Sequence, residues 1–385
     1  MSPDRVAAGM GERVVGFDAW PVDVPLTQPF GIAGGVQDVA RNAFVRVALE
    51  SGAVGHGEAA PLPAFNGETQ AHVLAALAGA RDAIVGSEAV PWDGGRPATG
   101  ASGAAGDAAF GLGGAALCAV EMAVLDALDR REGRRMFGAD AGALVTDVTI
   151  PIGPIDACAD DARRWAARGF RRLKLKVGGA GPDDAIARAL AVHAAAPAAE
   201  LLLDGNAGLS ATDAIAVLRA LATRGVRPVL FEQPCARDDV AGLLAVAAAS
   251  DVPVALDESA SCEADVRRIE AAPGFDARRF VANVKPMKAG FREALRVARR
   301  AHAAGMRLMI GGMVETRLAM SASACFVVAL RPQLGFAFVD LDTPLFLADD
   351  PVAGGYAQEA DRLDLAPIAA GHGVVPRAVP ARSGA

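Results

Sequence analysis

From about residue 145 onward the chain repeats one pattern. A short apolar run ends in a polar residue and is followed by an Ala-rich stretch with apolar positions three and four apart. The runs are VTIPIG, RRLKLKVG, ELLLDGNAG, PVLFEQP, VPVALDES, FVANVKP, RLMIGGMVE and GFAFVDLD. Stretches such as DACADDARRWAARG, DAIARALAVHAAA and FREALRVARRAHAAG lie between them. Buried strands alternating with amphipathic helices predict parallel βα units, and eight runs predict a barrel. The competing doubly wound sheet loses its nucleotide-binding form, because no GxGxxG follows any run.

The first third has a different texture. VVGFDAWPVDVPL and RNAFVRVALE alternate with a period of two, as strands do, and GIAGG separates them. GAVGHGEAAPLPAFNGET reads as a turn-rich loop. Residues 70–87 and 115–131 read as helices, with a Gly/Ala/Pro-rich insertion at 91–112 between them. This predicts an α+β module over 1–140 and a catalytic barrel over 141–345. The tail, 346–385, is expected to pack back on the first module.

Composition narrows the classes. The chain has 385 residues and is 52% hydrophobic and 22% charged, which excludes a disordered or fibrous protein. A net charge of -7, one Tyr and three Trp argue against nucleic-acid binding, which needs clustered cations or stacking platforms. The longest apolar stretches reach about a dozen residues, and a membrane span needs about 20. The N-terminus, with Asp4 and Glu12, shows no signal-peptide pattern. The five cysteines are odd in number and form no CxxC pair, so free thiols in a reducing cytoplasm are expected.

The polar ends of the runs carry the chemistry. Lys174 and Lys176, Asp204, Glu232, Asp257, Lys285, Glu315, and Asp340 with Asp342 recur at gaps of 25 to 30 residues from Lys174 to Asp340. In a parallel barrel the strand C-termini converge on one mouth, where catalytic groups lie. Asp204, Glu232 and Asp257 on consecutive strands would repel one another unless a divalent cation sat between them. All-oxygen ligation favours Mg²⁺, with Mn²⁺ as a substitute. Lys174 and Lys176 share a face, and Leu173, Leu175 and Val177 take the helix side, which leaves the lysines to the lumen. Lys285 faces them from the sixth strand. Lysines packed beside other cations are expected to have depressed pKa values and to serve as neutral bases next to a carboxylate. His193 and His302 fall in helical stretches, and His56, His72 and His372 lie outside the runs.

These residues resemble the enolase superfamily, in particular its muconate-lactonizing subgroup, through LKLKVG, DGNAG, FEQP, ALDES, NVKPMKAG and GGMVETRLA. The resemblance spans essentially the whole chain, including the PLPAFNGET loop. It implies a modified TIM barrel, (β/α)₇β, with an α+β capping domain formed by the N-terminal third and the C-terminal tail. It implies Asp204, Glu232 and Asp257 as metal ligands and Lys174, Lys176 and Lys285 as catalytic groups. Asn206 and Glu258 would stand behind the metal ligands, with Glu258 pairing with Lys285. A homo-oligomer is expected.

VDLDTPLFL resembles the DxD element of dipeptide epimerases, which implies that Asp340 and Asp342 hold the substrate's α-ammonium, with Glu315 also at the substrate. The implied reaction inverts the α-carbon of a dipeptide's second residue through an enediolate. Muconate cycloisomerase and o-succinylbenzoate synthase, the alternatives in the subgroup, act on anions that a carboxylate pair would oppose. The loop PLTQPFGIAGGVQD, residues 25–38, carries no Lys or Arg. Relatives acting on Ala-Glu resemble one another in having a basic residue there. Its Phe30 and Ile32 are therefore expected to favour apolar side chains.

Overall fold

In the computed structural model the alternation of runs and helical stretches closes into a barrel. The structure describes residues 12–32, 35–92, 110–179 and 181–379, with only the backbone of 30–32. The barrel strands are β5 (Val148–Ile150), β6 (Arg172–Lys176), β7 (Glu200–Asp204), β8 (Leu230–Glu232), β9 (Val254–Leu256), β10 (Phe280–Val284), β11 (Arg307–Ile310) and β12 (Phe336–Val339). They pair in parallel in sequence order. A helix follows each of the first seven: α4 (Ile155–Ala167), α5 (Pro182–Ala195), α6 (Ala211–Thr223), α7 (Val240–Ala249), α8 (Glu263–Glu270), α9 (Phe291–Ala303) and α10 (Arg317–Leu330). The eight runs thus give the (β/α)₇β order.

Three hydrogen bonds join the first and last barrel strands. Asp147 N donates to Val339 O at 2.9 Å, Leu341 N to Thr146 Oγ1 at 2.9 Å, and Thr149 N to Asp342 Oδ2 at 2.6 Å. Inside, Leu202, Leu230, Ala255, Val281, Met309 and Phe338 form their own buried cluster. Two residues further along the respective strands come Asp204, Glu232, Asp257, Asn283, Gly311 and Asp340. Side chains alternate along a strand, so an apolar plug fills the lumen and the polar groups form the next layer toward the mouth. Leu173, Leu175, Leu203, Phe231 and Leu256 face the helices and belong to the main core.

The cap is an antiparallel sheet of β1 (Val14–Ile32), β2 (Gly35–Leu49) and β3 (Val54–Ala59), with helices α1 (Pro63–Asn66), α2 (Gln70–Ile84) and α3 (Gly114–Arg131). β3 corrects the turn-rich reading of 52–69. Its glycines look like turn signals but serve a close approach instead. A Cβ on Gly55 would stand 2.1 Å from Ala123 O, and one on Gly57 would stand 2.0 Å from Ala119 O, both on α3. The loop read over 25–38 is largely the end of the β1–β2 hairpin, with Phe30 opposite Gln37 and a register break after Pro25. Most of the 91–112 insertion lies outside the described residues.

The tail is more ordered than its pattern suggested. β15 (Arg362–Asp364) bridges β14 (Ala357–Glu359) and β4 (Ala143–Val145), while β13 (Val352–Gly354) pairs with β16 (Val374–Pro376). The tail also reaches the cap: His372 N donates to Asp126 Oδ1 at 3.0 Å, and Arg130 Nη2 to Val374 O at 2.8 Å. No described helix is long and apolar enough to cross a membrane.

Candidate active site

One cavity at the mouth gathers most of the polar run-ends. Lys174, Lys176, Asn206, Asp257, Glu258, Lys285, Asp340 and Asp342 line it. β6 and β10 lie four strands apart in a ring of eight, so Lys176 and Lys285 approach from opposite sides. Lys176 Nζ donates to Asp204 Oδ2 at 2.6 Å, and Lys285 Nζ to Asp257 Oδ2 at 2.7 Å. Lys174 Nζ donates to Glu232 Oε2 at 3.4 Å and in a short contact to Asp340 Oδ2.

Carboxylates dominate this layer and reverse one expectation. Burial lowers the pKa of Lys285, but Asp257 and Glu232 outweigh it and the net shift is upward. Lys174 is likewise raised, against burial, by Asp340, Glu232 and Asp204. Lys288 is the lysine shifted down, by burial first. Its ammonium donates to the carbonyls of Asp257 at 2.7 Å, Asn283 at 2.9 Å and Ala260 at 3.3 Å.

Asp204, Glu232 and Asp257 sit on adjacent strands, with Asp204 directly beside Glu232 in the ladder. Each turns to a cation rather than to the others, as like charges must. Asp257 is held well below its usual pKa by Lys285 and Lys288, which overcome burial. Burial and then Asp204 push Glu232 up to about 7, against Lys174. Two buried oxygens nearby, Asn206 Oδ1 and Glu258 Oε2, meet no donor among the described residues. A group of oxygen ligands from consecutive strand ends, with acceptors to spare, fits a hard divalent cation.

Glu258 does not hydrogen-bond Lys285 as expected. Asp257 takes that bond, because consecutive residues point apart and Asp257 faces the lysine. Burial, with Asp257 and Asp204, pushes Glu258 up to about 8. Glu315 also departs from expectation. Its Oε1 turns back to accept from Met313 N at 2.8 Å, closing its own loop rather than facing the cavity. That loop is clamped by the cap. Buried Glu58 accepts from Thr316 N, Thr316 Oγ1 and Ala319 N, while Asn42 bridges Glu58 and Val314 O.

Several groups were missed by sequence reasoning. Asn283 donates to Glu232 Oε1 at 2.6 Å. It lies two residues before Lys285 on the same face, and an amide inside an apolar run was the available signal. Fully buried Arg188 on α5 donates to Lys176 O at 2.8 Å and to Asp184 Oδ2 at 2.6 Å. Asp147 stands with Asp340 and Asp342, one oxygen of each lying within 4.8 Å of the others. Among the described residues this is the trio close enough to share an ion; Asp204, Glu232 and Asp257 each turn to a lysine, Lys176, Lys174 and Lys285 in that order.

The cavity's apolar wall comes from Leu62, Ala64 and Phe65 of the cap and from Met313 and Val314. The side chains of Phe30 and Ile32, expected to set specificity, lie outside the described residues. The histidines stay away from the cavity: buried His372 and His56 pack with Asp126 between cap and tail.

The comparisons agree with this architecture. Residues 157–378 match the model of the enolase C-terminal domain-like family. An aromatic dipeptide epimerase from Herpetosiphon aurantiacus is 42% identical over 368 residues, covering 95% of this chain and 99% of the relative. A solved mandelate racemase/muconate lactonizing protein from the same organism superposes with a TM-score of 0.85 at 40% identity, covering 96% of this chain and 100% of the other. A dipeptide epimerase from Enterococcus faecalis, solved with Mg and L-Leu-L-Tyr, gives a TM-score of 0.83 at 29% identity over 94% of this chain and 99% of that one. Barrel, charged mouth and relatives converge: the chain belongs to the enolase superfamily, in its muconate-lactonizing subgroup, among the dipeptide epimerases, a family of isomerases.

Proposed function

We propose that the chain is a Mg²⁺-dependent epimerase that inverts the second residue of apolar dipeptides by two-base proton transfer. One observation carries this reading: Lys176 and Lys285 oppose each other across one cavity, with the Asp340–Asp342 pair on its wall. Inversion removes a proton from one face of the α-carbon and returns one to the other, which needs a base on each side. Lys174, on the same face as Lys176, stands where negative charge builds in the enediolate. The Asp pair takes the α-ammonium, and the cycloisomerase and synthase substrates have no such cation to offer.

Asp204, Glu232 and Asp257 would hold the ion, and Mn²⁺ would serve in its place. When bound, it supplies positive charge opposite the substrate carboxylate. Leu62, Phe65, Met313 and Val314 give the side-chain pocket an apolar lining. Burying an acidic side chain among them without a partner would cost several kcal/mol.

The test is a dipeptide library incubated with the enzyme in D₂O and read by mass, followed by kcat/KM for Ala-Leu, Ala-Lys and Ala-Glu. Ala-Leu should lead, and Asp342→Asn should lose most of that activity. A clear preference for Ala-Glu would refute the apolar assignment. Full activity of the Asp342 variant would refute the ammonium assignment.

A further inference from the structure

Asp147 is a buried acid that accepts no hydrogen bond among the described residues. It precedes β5, where its backbone N–H bonds Val339 O and helps close the barrel. Its side chain is fully buried, and neither carboxylate oxygen meets a donor from the described residues. The charged groups around it are Asp340 and Asp342 from the end of β12 and Lys174 from β6. Lys174 is already engaged with Asp340 and Glu232, and Asp342 accepts from Thr149 N. A third carboxylate anion here would face two others with no donor of its own, which burial makes costly. A proton resolves this more simply.

We infer that Asp147 is a positioning residue which stands as a carboxylic acid and donates its proton to Asp340, fixing the Asp340–Asp342 pair toward the substrate's α-ammonium. The inference rests on the reading of that pair as the ammonium site. Burial and then Asp340 push the Asp147 carboxyl well above its usual range, while Asp340 stays below its own because Lys174 and Lys285 overcome burial. The proton therefore belongs on Asp147. With it there, Asp340 keeps its charge for the substrate and one of its oxygens is held in place. Asp147 is absent from the cavity lining, so it acts through Asp340 and not by touching substrate.

The inference separates charge from hydrogen bonding. In Asp147→Asn the amide can still donate to Asp340, so KM for Ala-Leu should rise no more than about threefold. In Asp147→Ala the donor is gone, and losing a hydrogen bond to a charged acceptor should raise KM roughly ten- to a hundredfold, with a smaller change in kcat. The Ki of propionyl-leucine, which lacks the ammonium, should change little in either variant. An infrared difference spectrum of wild type minus Asp147→Asn at neutral pH should show the carbonyl band of a protonated acid. That measurement does not require the alanine variant to fold.

An asparagine variant as impaired as the alanine one, or the absence of the acid band, would overturn the inference. So would an equal loss for propionyl-leucine in Asp147→Ala, which marks a merely structural role. Asp342→Asn separates the two layers of argument. If it weakens Ala-Leu and propionyl-leucine equally, the ammonium reading itself fails. If it weakens only Ala-Leu while the Asp147 variants behave alike, only the present inference fails.

Discussion

Lys176 and Lys285 face each other across the lumen with the same immediate partner, a carboxylate at 2.6 and 2.7 Å, but their supports differ. On the β6 side the second cation, Lys174, lies two residues earlier on the same face and reaches into the cavity. On the β10 side the second cation, Lys288, lies in the turn after the strand, donates to three backbone carbonyls and pairs with the Asp257 carboxylate, Oδ1 lying 2.8 Å away. Similar residue pairs thus do different work. Lys174 can meet charge developing on a substrate. Lys288 holds Asp257 and the ends of two strands, and its charge serves the frame.

That asymmetry can be probed from the largest effect downward. Chelation should abolish activity on both sides at once, and added Mg²⁺ should restore it, because the proposed ion serves the substrate and not one lysine. Steady-state turnover after exhaustive chelation and readdition checks this. Lys174→Met should lower kcat about 10²- to 10³-fold in both directions, the scale of losing one preorganised charge at the transition state. Lys288→Met should fall mainly on the fold. It leaves buried carbonyls without their donor, at about 1–3 kcal/mol for each left unsatisfied. A denaturation midpoint should register that loss, with a smaller loss of kcat than in Lys174→Met.

The smallest effect lies in the pH profile. Burial and then Asp340 push Asp342 up to about 7, against Lys174 and the Thr149 N–H. Its ionised form binds an ammonium and its protonated form does not. The kcat/KM for Ala-Leu should therefore fall as pH drops through about 7, on a limb that belongs to the free enzyme. Asp342→Asn should remove that limb along with most of the activity.

The barrel was legible because each strand declares itself twice, as an apolar run and as the charge that ends it. Asp147 escaped because it stands just before a strand. A charge before a run reads as loop, and only the closure of β12 onto β5 brings it beside Asp340. β3 escaped because Gly55 and Gly57 look like turn residues, while the backbone of α3 that requires them is more than 60 residues away in sequence. The pKa directions of Lys174 and Lys285 differ from expectation for a related reason. The sequence shows lysines near lysines, but carboxylates from neighbouring strands outweigh them in the folded lumen. Glu315 matched its motif yet turned inward, because Met313 N lies within its reach.

The central claim, one base on each face, is tested most directly by exchange of the α-proton with solvent. Ala-L-Leu and Ala-D-Leu would be incubated separately in D₂O with Lys176→Ala and with Lys285→Ala, and deuterium uptake followed by mass and chirality. Each variant should exchange only one epimer, the two variants should choose opposite epimers, and neither should interconvert them. A variant that exchanges both epimers, or that still interconverts them at close to the wild-type rate, would contradict the account.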